Sequence, residues 1–183
     1  MKTAKIICAL ILVLGVFASP VLSKDLKGNL GIGFNSQFSP ENLDALSGKY
    51  WINNELAVQG LFGFNFSDAS GDSDDLEIGG KVYFKIKDEE NLHVDIVAGV
   101  GFIRSDPDKG NTKDGTWVNA GVGLEYFFSG LPNLGFSTEV GVTFTDYDHD
   151  TSFGSTADTF VGAGIHYYFD ILSPTVKRPE ETE

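Results

Sequence analysis

The chain has 183 residues, a formal net charge of −13, 42% hydrophobic residues and 21% charged residues. This length suits one domain, the hydrophobic content excludes a disordered acidic chain, and the negative charge argues against a nucleic-acid partner. Glycine (22) and phenylalanine (15) are abundant, whereas methionine and cysteine occur once each. This composition favours many short strands over long helices.

The N-terminus has the features of a secretory signal peptide. Lys2 and Lys5 precede an apolar run, and small residues follow it up to Ser23. The run is short for a membrane helix of ~20 residues, so we predict a cleaved signal peptide over residues 1–23. Cleavage would remove Cys8 and take the net charge from −13 to −15, which leaves no disulfide or thiol chemistry in the mature chain.

The rest of the chain divides into eight segments in which apolar and polar residues alternate, the period of a β-strand. The predicted strands are 28–38, 43–52, 55–66, 75–87, 91–103, 115–128, 134–145 and 158–169. Their lengths of 10 to 14 residues fit transmembrane strands, because a tilted strand needs ~9–11 residues to cross a bilayer.

The connections between these strands alternate in length. Residues 53–54, 88–90 and 129–133 are short and turn-like. The connections after strands three, five and seven are longer and rich in Asp, Ser and Gly, and the first is intermediate. Bacterial outer-membrane barrels have short periplasmic turns and longer external loops. We therefore predict an all-β fold, an eight-stranded antiparallel up-and-down transmembrane β-barrel over residues 24–169.

Each predicted strand has an apolar face and a polar face. The polar faces are crowded with glycine and carry charges of both signs, which suits a narrow interior because buried ions must pair. The apolar faces would then contact lipid, whereas a soluble lipocalin-like carrier, with its apolar face inward, is the alternative. The predicted interior charge network consists of Lys49, Lys81, Lys85, Asp95, Glu125 and Glu139.

Aromatic residues cluster near the predicted strand ends. Tyr50 and Trp51 stand at one such end, and residues 126–128 stand at another. Aromatic girdles at both interfaces are typical of membrane barrels. Core aromatics of a soluble β-protein are the alternative.

The last predicted strand carries the most specific pattern. Its alternating residues are Val161, Ala163, Ile165, Tyr167 and Phe169. Together with residues 49–57, this strand resembles the outer membrane protein beta-barrel domain family, the OmpA/OmpX-like small barrels, and the resemblance extends over residues 28–169. It implies location in the cell outer membrane and an insertion signal at Tyr167 and Phe169 that the barrel-assembly machinery recognises. We also expect a monomer in contact with the lipid bilayer and lipopolysaccharide.

The chain departs from this family at its C-terminus. In many such barrels the aromatic signal residue ends the chain, whereas residues 170–183 follow it here and include Pro174 and Pro179. We predict a short disordered periplasmic tail over these residues.

One segment resembles the beginning of a calcium-binding loop. Asp146, Asp148 and Asp150 have the required spacing, but Thr151 and Ala157 stand where an EF-hand has Gly and Glu. These three aspartates are weak calcium candidates, and a solvated loop tip is the alternative interpretation. Weak calcium bridging to lipopolysaccharide phosphates is a further alternative.

Several interior residues have side chains that also occur in active sites. His93, Asp95 and His166 would share the interior with a serine such as Ser137. A structural hydrogen-bond network is the preferred interpretation over an active site. We expect neither enzymatic activity nor a cofactor.

The function predicted from these features is structural or surface-interacting, with the acidic external loops as the contact surface. Eight strands enclose an interior that side chains fill, and Lys81, Lys85 and Glu125 would lie across it. A general porin is therefore disfavoured. A narrow channel for small or hydrophobic solutes is the alternative, followed by the soluble lipocalin-like carrier.

Overall fold

The computed structural model describes residues 24–37, 44–65, 74–106, 112–147, 150–155 and 161–171. These residues form nine strands: β1 (Asn29–Gln37), β2 (Ala45–Trp51), β3 (Leu56–Asn65), β4 (Asp74–Asp88), β5 (Leu92–Asp106), β6 (Lys113–Phe128), β7 (Leu131–Tyr147), β8 (Asp150–Ser155) and β9 (Val161–Asp170). Within these ranges no helix is long and apolar enough to cross a membrane. The predicted signal peptide and residues 172–183 of the predicted tail lie outside them.

Antiparallel pairing joins the strands into one closed barrel. Each strand from β1 to β6 pairs with the next strand along the chain. β9 pairs with both β1 and β7, which closes the circle. The predicted eight-stranded up-and-down barrel is confirmed, and β8 and β9 together occupy the position of its eighth strand.

The eighth strand differs from the predicted one because it consists of two pieces. β8 pairs with residues 142–147 of β7, and β9 pairs with residues 134–140. We predicted a loop up to Ala157 and a strand from Asp158, so the start of this strand was wrong. The Asp, Ser and Gly residues of Asp150–Ser155 are typical of turns, but the long edge of β7 gives this segment backbone partners that composition does not reveal.

The turn between β6 and β7 is shorter than predicted. Phe128 pairs directly with Leu131, so Ser129 and Gly130 alone form the turn. The sequence predicted a turn over residues 129–133. A register shift between Phe127 and Phe128 takes up the additional residues of β7, as a β-bulge does.

The barrel has two different ends. The turns after β2, β4 and β6, the segment before β1 and the end of β9 all lie at one end, which we call the short-turn end. The opposite end is the long-loop end. β4 to β7 have 15 to 17 residues, whereas β1 and β2 have nine and seven. β4 to β7 are therefore longer than the ~9–11 residues that a strand needs to cross a membrane.

Apolar side chains point outward and polar side chains point inward. Ile32, Val100 and Val118 are between 54% and 59% exposed, as is typical of the apolar residues on this surface. Lys81, Asp95 and the other interior charges are buried. This orientation is the reverse of a soluble lipocalin-like barrel, in which the apolar face lines the interior.

Candidate functional site in the barrel interior

Two ion pairs cross the interior of the barrel. Lys49 on β2 lies 2.9 Å from Glu125 on β6 (Nζ to Oε2), and Lys81 on β4 lies 2.7 Å from Glu139 on β7. All four side chains are at most 2% exposed. Each pair joins strands that are not neighbours, so the ion pairs lie across the interior and not along its wall.

Tyrosine hydroxyl groups complete both ion pairs. Tyr168 donates a hydrogen bond to Oε1 of Glu125 at 2.6 Å, and Tyr83 donates one to Oε1 of Glu139 at 2.5 Å. Nζ of Lys49 lies 4.0 Å from the centre of the Tyr83 ring. Tyr83 therefore links the two ion pairs. It donates a hydrogen bond to Glu139 and makes a cation–π contact with Lys49.

The other two members of the predicted charge network do not pair with each other. Lys85 forms an ion pair with Asp88 at 2.5 Å, and Nε2 of His93 lies 3.0 Å from the same Asp88 carboxylate. Asp95 is directly opposite Lys85 in the β4–β5 register, but it forms no ion pair within the described part of the chain. The sequence interpretation did not include Asp88, because it assigned that residue to a turn.

The histidine and serine residues do not form a catalytic triad in the described ranges. Nε2 of His166 bonds to Oγ of Ser47 at 2.8 Å and not to Ser137. The amide of Gln59 donates a second hydrogen bond to Ser47, at 2.5 Å. Because Nδ1 of His166 has no hydrogen-bond partner among the described residues, no carboxylate there orients this ring as the aspartate of a catalytic triad does.

An apolar cluster closes the interior at the short-turn end. Leu26 is fully buried there among aromatic side chains, and the complete cluster contains Leu26, Trp51, Ala57, Tyr83, Val97, Phe127 and Tyr168. The backbone turns into the barrel at Gly28, where φ is 78° and a side chain would be strained. The N–H of Gly28 bonds to the carbonyl of Trp51 at 2.8 Å.

Lys24 covers this apolar cluster from outside the strands. Its Nζ lies 3.9 Å from the centre of the Phe127 ring and donates a hydrogen bond to the carbonyl of Pro132. Partial burial lowers the pKa of Lys24 to about 8, although the charge of Glu125 opposes this change. No feature of the sequence predicted that residues 24–28 fold back into the barrel. The single apolar residue in Lys-Asp-Leu-Lys is too weak a signal.

A second apolar cluster lies in the long-loop half of the interior. It contains Ala45, Leu61, Ile103 and Trp117. The Trp117 ring rests on glycines of β4 and β5, and a Cβ added at Gly79 would lie 2.6 Å from this ring. Glycine at Gly79 therefore leaves room for this aromatic ring, which any larger residue would displace.

The predicted insertion signal lies on the outer surface. Tyr167 and Phe169 of β9 are 46% and 48% exposed, and their ring centres are 5.0 Å apart. Tyr126, Phe128 and Phe136 form a second outward group, with ring centres 5.1 and 5.3 Å apart. Both groups lie near the short-turn end, where an aromatic girdle would meet the membrane interface.

The calcium candidates are only partly described. Asp146 lies in β7 and Asp150 begins β8, with Tyr147 and Asp150 opposite each other in the register. Asp148 lies outside the described residues. Among the residues that are described, no group of three or more His, Cys, Asp or Glu is arranged to hold a metal ion. The calcium site remains a prediction.

Comparisons with known proteins show similarity in the fold and not in the sequence. No protein-family model matches the chain, and neither does any curated protein. The N-terminal β-barrel domain of Pseudomonas aeruginosa OprF is similar with a TM-score of 0.58 and 13% identity, over 80% of this chain and 100% of that domain. Neisserial surface protein A aligns with a TM-score of 0.46 and 19% identity, over 77% and 94%. The likeness to the OprF domain shows that the chain shares the fold of that β-barrel.

Proposed function

We propose that this protein is a non-enzymatic structural barrel of the bacterial outer membrane that presents its long-loop end as an external contact surface. The observation that carries the proposal is the combination of a filled interior with an apolar exterior. A membrane barrel needs the apolar exterior because hydrocarbon surrounds it. The filled interior favours a structural role over transport.

The closed interior argues against the alternative of a narrow channel. A solute would have to pass the Lys81–Glu139 pair, then the Lys49–Glu125 pair and then the apolar cluster around Leu26. Removing one partner of a buried ion pair leaves an uncompensated charge, at a cost of about 3–5 kcal/mol. A passing ion would have to separate these pairs, so we expect the resting barrel to conduct no ions.

The long-loop end is predominantly acidic in the part that the structure describes. The acidic residues near this end are Asp44, Asp74, Asp75, Asp106, Asp114 and Asp146. Arg104 and Lys113 are the cations near them, and Arg104 bonds to Asp114 through two nitrogens, at 2.7 and 3.0 Å. A partner that matches this charge is a cationic surface, or lipopolysaccharide phosphates bridged by divalent cations.

Fractionation and electrophoresis test the membrane barrel first. The expected result is a protein in the outer-membrane fraction whose gel mobility changes on boiling, because the closed barrel resists detergent until it is heated. In planar bilayers we expect no single-channel steps. A protein that remains in aqueous solution, or one that produces regular conductance steps, would contradict the proposal.

Cysteine labelling tests which end faces outward. The predicted mature chain has no cysteine, so Lys113→Cys at the long-loop end and Glu89→Cys at the short-turn end each introduce a single thiol. A membrane-impermeant maleimide should label Lys113→Cys on intact cells and leave Glu89→Cys unlabelled until the cells are lysed. Labelling of Glu89→Cys alone would show that the short-turn end faces outward.

An arginine on the outer surface tests contact with lipid. Val122 lies near the middle of the apolar surface and is 42% exposed. Val122→Arg should destabilise the barrel by ~2–4 kcal/mol in vesicles, because arginine is costly at the bilayer midplane and costs ~0–1 kcal/mol near an interface. Thr116→Arg, on the same face of β6 near the long-loop end, is the matched control. Equal effects of the two changes in urea unfolding would contradict a lipid-facing surface.

A further inference from the structure

The chain reverses its direction just before β1. The N–H of Asn29 donates a hydrogen bond to the carbonyl of Leu26 at 2.9 Å, and φ of Gly28 is 78°. A hydrogen bond between the first and fourth residues and a positive φ at the third are features of a type II β-turn. This turn directs the preceding residues back beneath the barrel. We call residues 24–27 the plug.

Leu26 is the only apolar residue of the plug. It is fully buried in the apolar cluster at the short-turn end, whereas Asp25 and Lys27 are exposed. The N–H of Lys27 is shared between Oδ1 of Asp25 at 3.1 Å and Oδ1 of Asn54 at 3.2 Å. Because water competes for these exposed groups, their hydrogen bonds add little to the stabilisation that Leu26 contributes.

Lys24 lies over the same cluster. Its Nζ is 3.9 Å from the centre of the Phe127 ring and 5.9 Å from that of the Tyr168 ring, which is within the range of cation–π contacts. Partial burial lowers the pKa of Lys24 to about 8, because it removes water from the ammonium group. This loss of hydration offsets part of the cation–π attraction.

Gly28 marks the point at which the chain joins the wall of the barrel. Its N–H donates a hydrogen bond to the carbonyl of Trp51 at 2.8 Å, and its carbonyl accepts one from the N–H of Ile171 at 3.4 Å. Both bonds can persist while the turn opens at Lys27, since neither involves the N–H or the carbonyl of that residue. The plug can therefore leave the barrel without breaking a hydrogen bond between strands.

The closed position of the plug is only weakly favoured. Closing buries one leucine side chain, and the free energy gained is similar in size to the conformational entropy lost when residues 24–27 become ordered. Segments with few buried apolar contacts open while the rest of a protein stays folded. The strands, in contrast, are held by continuous pairing on both sides of β1.

We propose that residues 24–27 are a hinged plug, which opens and closes the short-turn end of the interior while the strands remain paired. In the closed position Leu26 covers the apolar cluster. Opening exposes this cluster to the solution at that end, together with the Glu125 carboxylate that accepts a hydrogen bond from Tyr168. One leucine side chain therefore controls access to the Lys49–Glu125 pair from this end.

A single thiol on the barrel wall tests whether the plug opens. Ala57 is fully buried in the covered cluster, and the predicted mature chain has no cysteine, so Ala57→Cys supplies one reporter. In detergent micelles, a water-soluble maleimide should label this thiol at a rate nearly independent of urea below the unfolding transition, because a local opening exposes little surface. A rate that rises steeply with urea, in parallel with unfolding of the barrel, would overturn the proposal.

Removing the plug tests whether this segment is the element that opens. In the Ala57→Cys background, deletion of residues 24–27 should raise the labelling rate several-fold. Leu26→Ser in the full chain is the second variant and should raise the rate in the same direction, because it removes the apolar anchor without shortening the chain. An unchanged rate in the folded variants would overturn the proposal, and a change in mobility on boiling verifies that each is folded.

Ala45→Cys is the matched control, because Ala45 lies in the apolar cluster towards the long-loop end. Its labelling rate should stay the same when residues 24–27 are deleted. If both thiols were labelled faster by the same factor, the deletion would have loosened the whole barrel, and the proposal would be wrong. None of these outcomes depends on the proposed contact surface at the long-loop end.

Discussion

The two halves of the barrel interior are closed by different chemistry. In the short-turn half, the Lys49–Glu125 pair accepts a hydrogen bond from Tyr168 and adjoins an apolar cluster that includes Leu26. Towards the long-loop end, Trp117 packs with Ala45, Leu61 and Ile103, and the Lys81–Glu139 pair accepts a hydrogen bond from Tyr83. Similar ion pairs can therefore have different surroundings.

The largest effect is expected from Glu125→Ala in the short-turn half. This change leaves the charge of Lys49 buried without a partner and should reduce the free energy of unfolding by ~3–5 kcal/mol. Urea unfolding in lipid vesicles, followed by tryptophan fluorescence, measures the loss. The double variant Lys49→Met with Glu125→Leu is the control and should recover most of the stability, because it removes both charges. If Glu125→Ala were as stable as the unmodified protein, the Lys49–Glu125 pair would not contribute to stability.

A comparable effect is expected from Glu139→Ala. This change removes the carboxylate that balances the buried charge of Lys81, so the expected loss is also ~3–5 kcal/mol. The same unfolding experiment compares it with Glu125→Ala. A loss much smaller than that of Glu125→Ala would show that the second ion pair contributes little to the stability of the barrel.

The smallest effect is expected from Gly101→Ala, which tests the packing of the long-loop half. A Cβ at Gly101 would overlap the Trp117 ring, and overpacking typically costs ~1–3 kcal/mol. Alanine also restricts the unfolded chain, which offsets ~0.4–1 kcal/mol, so we expect a net loss of ~1 kcal/mol. Gly60→Ala is the control, because no heavy atom of the described residues, apart from its chain neighbours, lies within 4 Å of its added Cβ. Equal stabilities of these two variants would mean that the Trp117 ring moves aside freely.

Much of the barrel could be predicted from local sequence. The period of two placed Lys49, Glu125 and Glu139 on inward faces, and all three are buried in the structure. The eighth strand was predicted less well, because Asp150–Ser155 has the composition of a turn and pairs only through contact with β7. A pattern confined to one strand reveals which face a residue occupies. It does not reveal which distant strand supplies a partner.

The pairing of the interior charges shows where local prediction ends. Lys85 and Asp95 were both placed inside, and the register sets them opposite each other, yet Lys85 pairs with Asp88. The register shift between Lys85 and Lys87 alters the local geometry of β4, and no sequence signal marks it. The Ser47–His166 contact joins residues 119 positions apart, a separation that periodicity cannot bridge.

By itself, the sequence determined the strand number, the up-and-down order and the face to which each side chain belongs. These properties follow from alternation and turn composition, which act over a few residues. The tertiary structure alone decided the ion-pair partners, the folding of residues 24–28 beneath the barrel and the division of the eighth strand into β8 and β9. Each of these depends on the register around the closed barrel, because closure brings residues together that the chain separates widely.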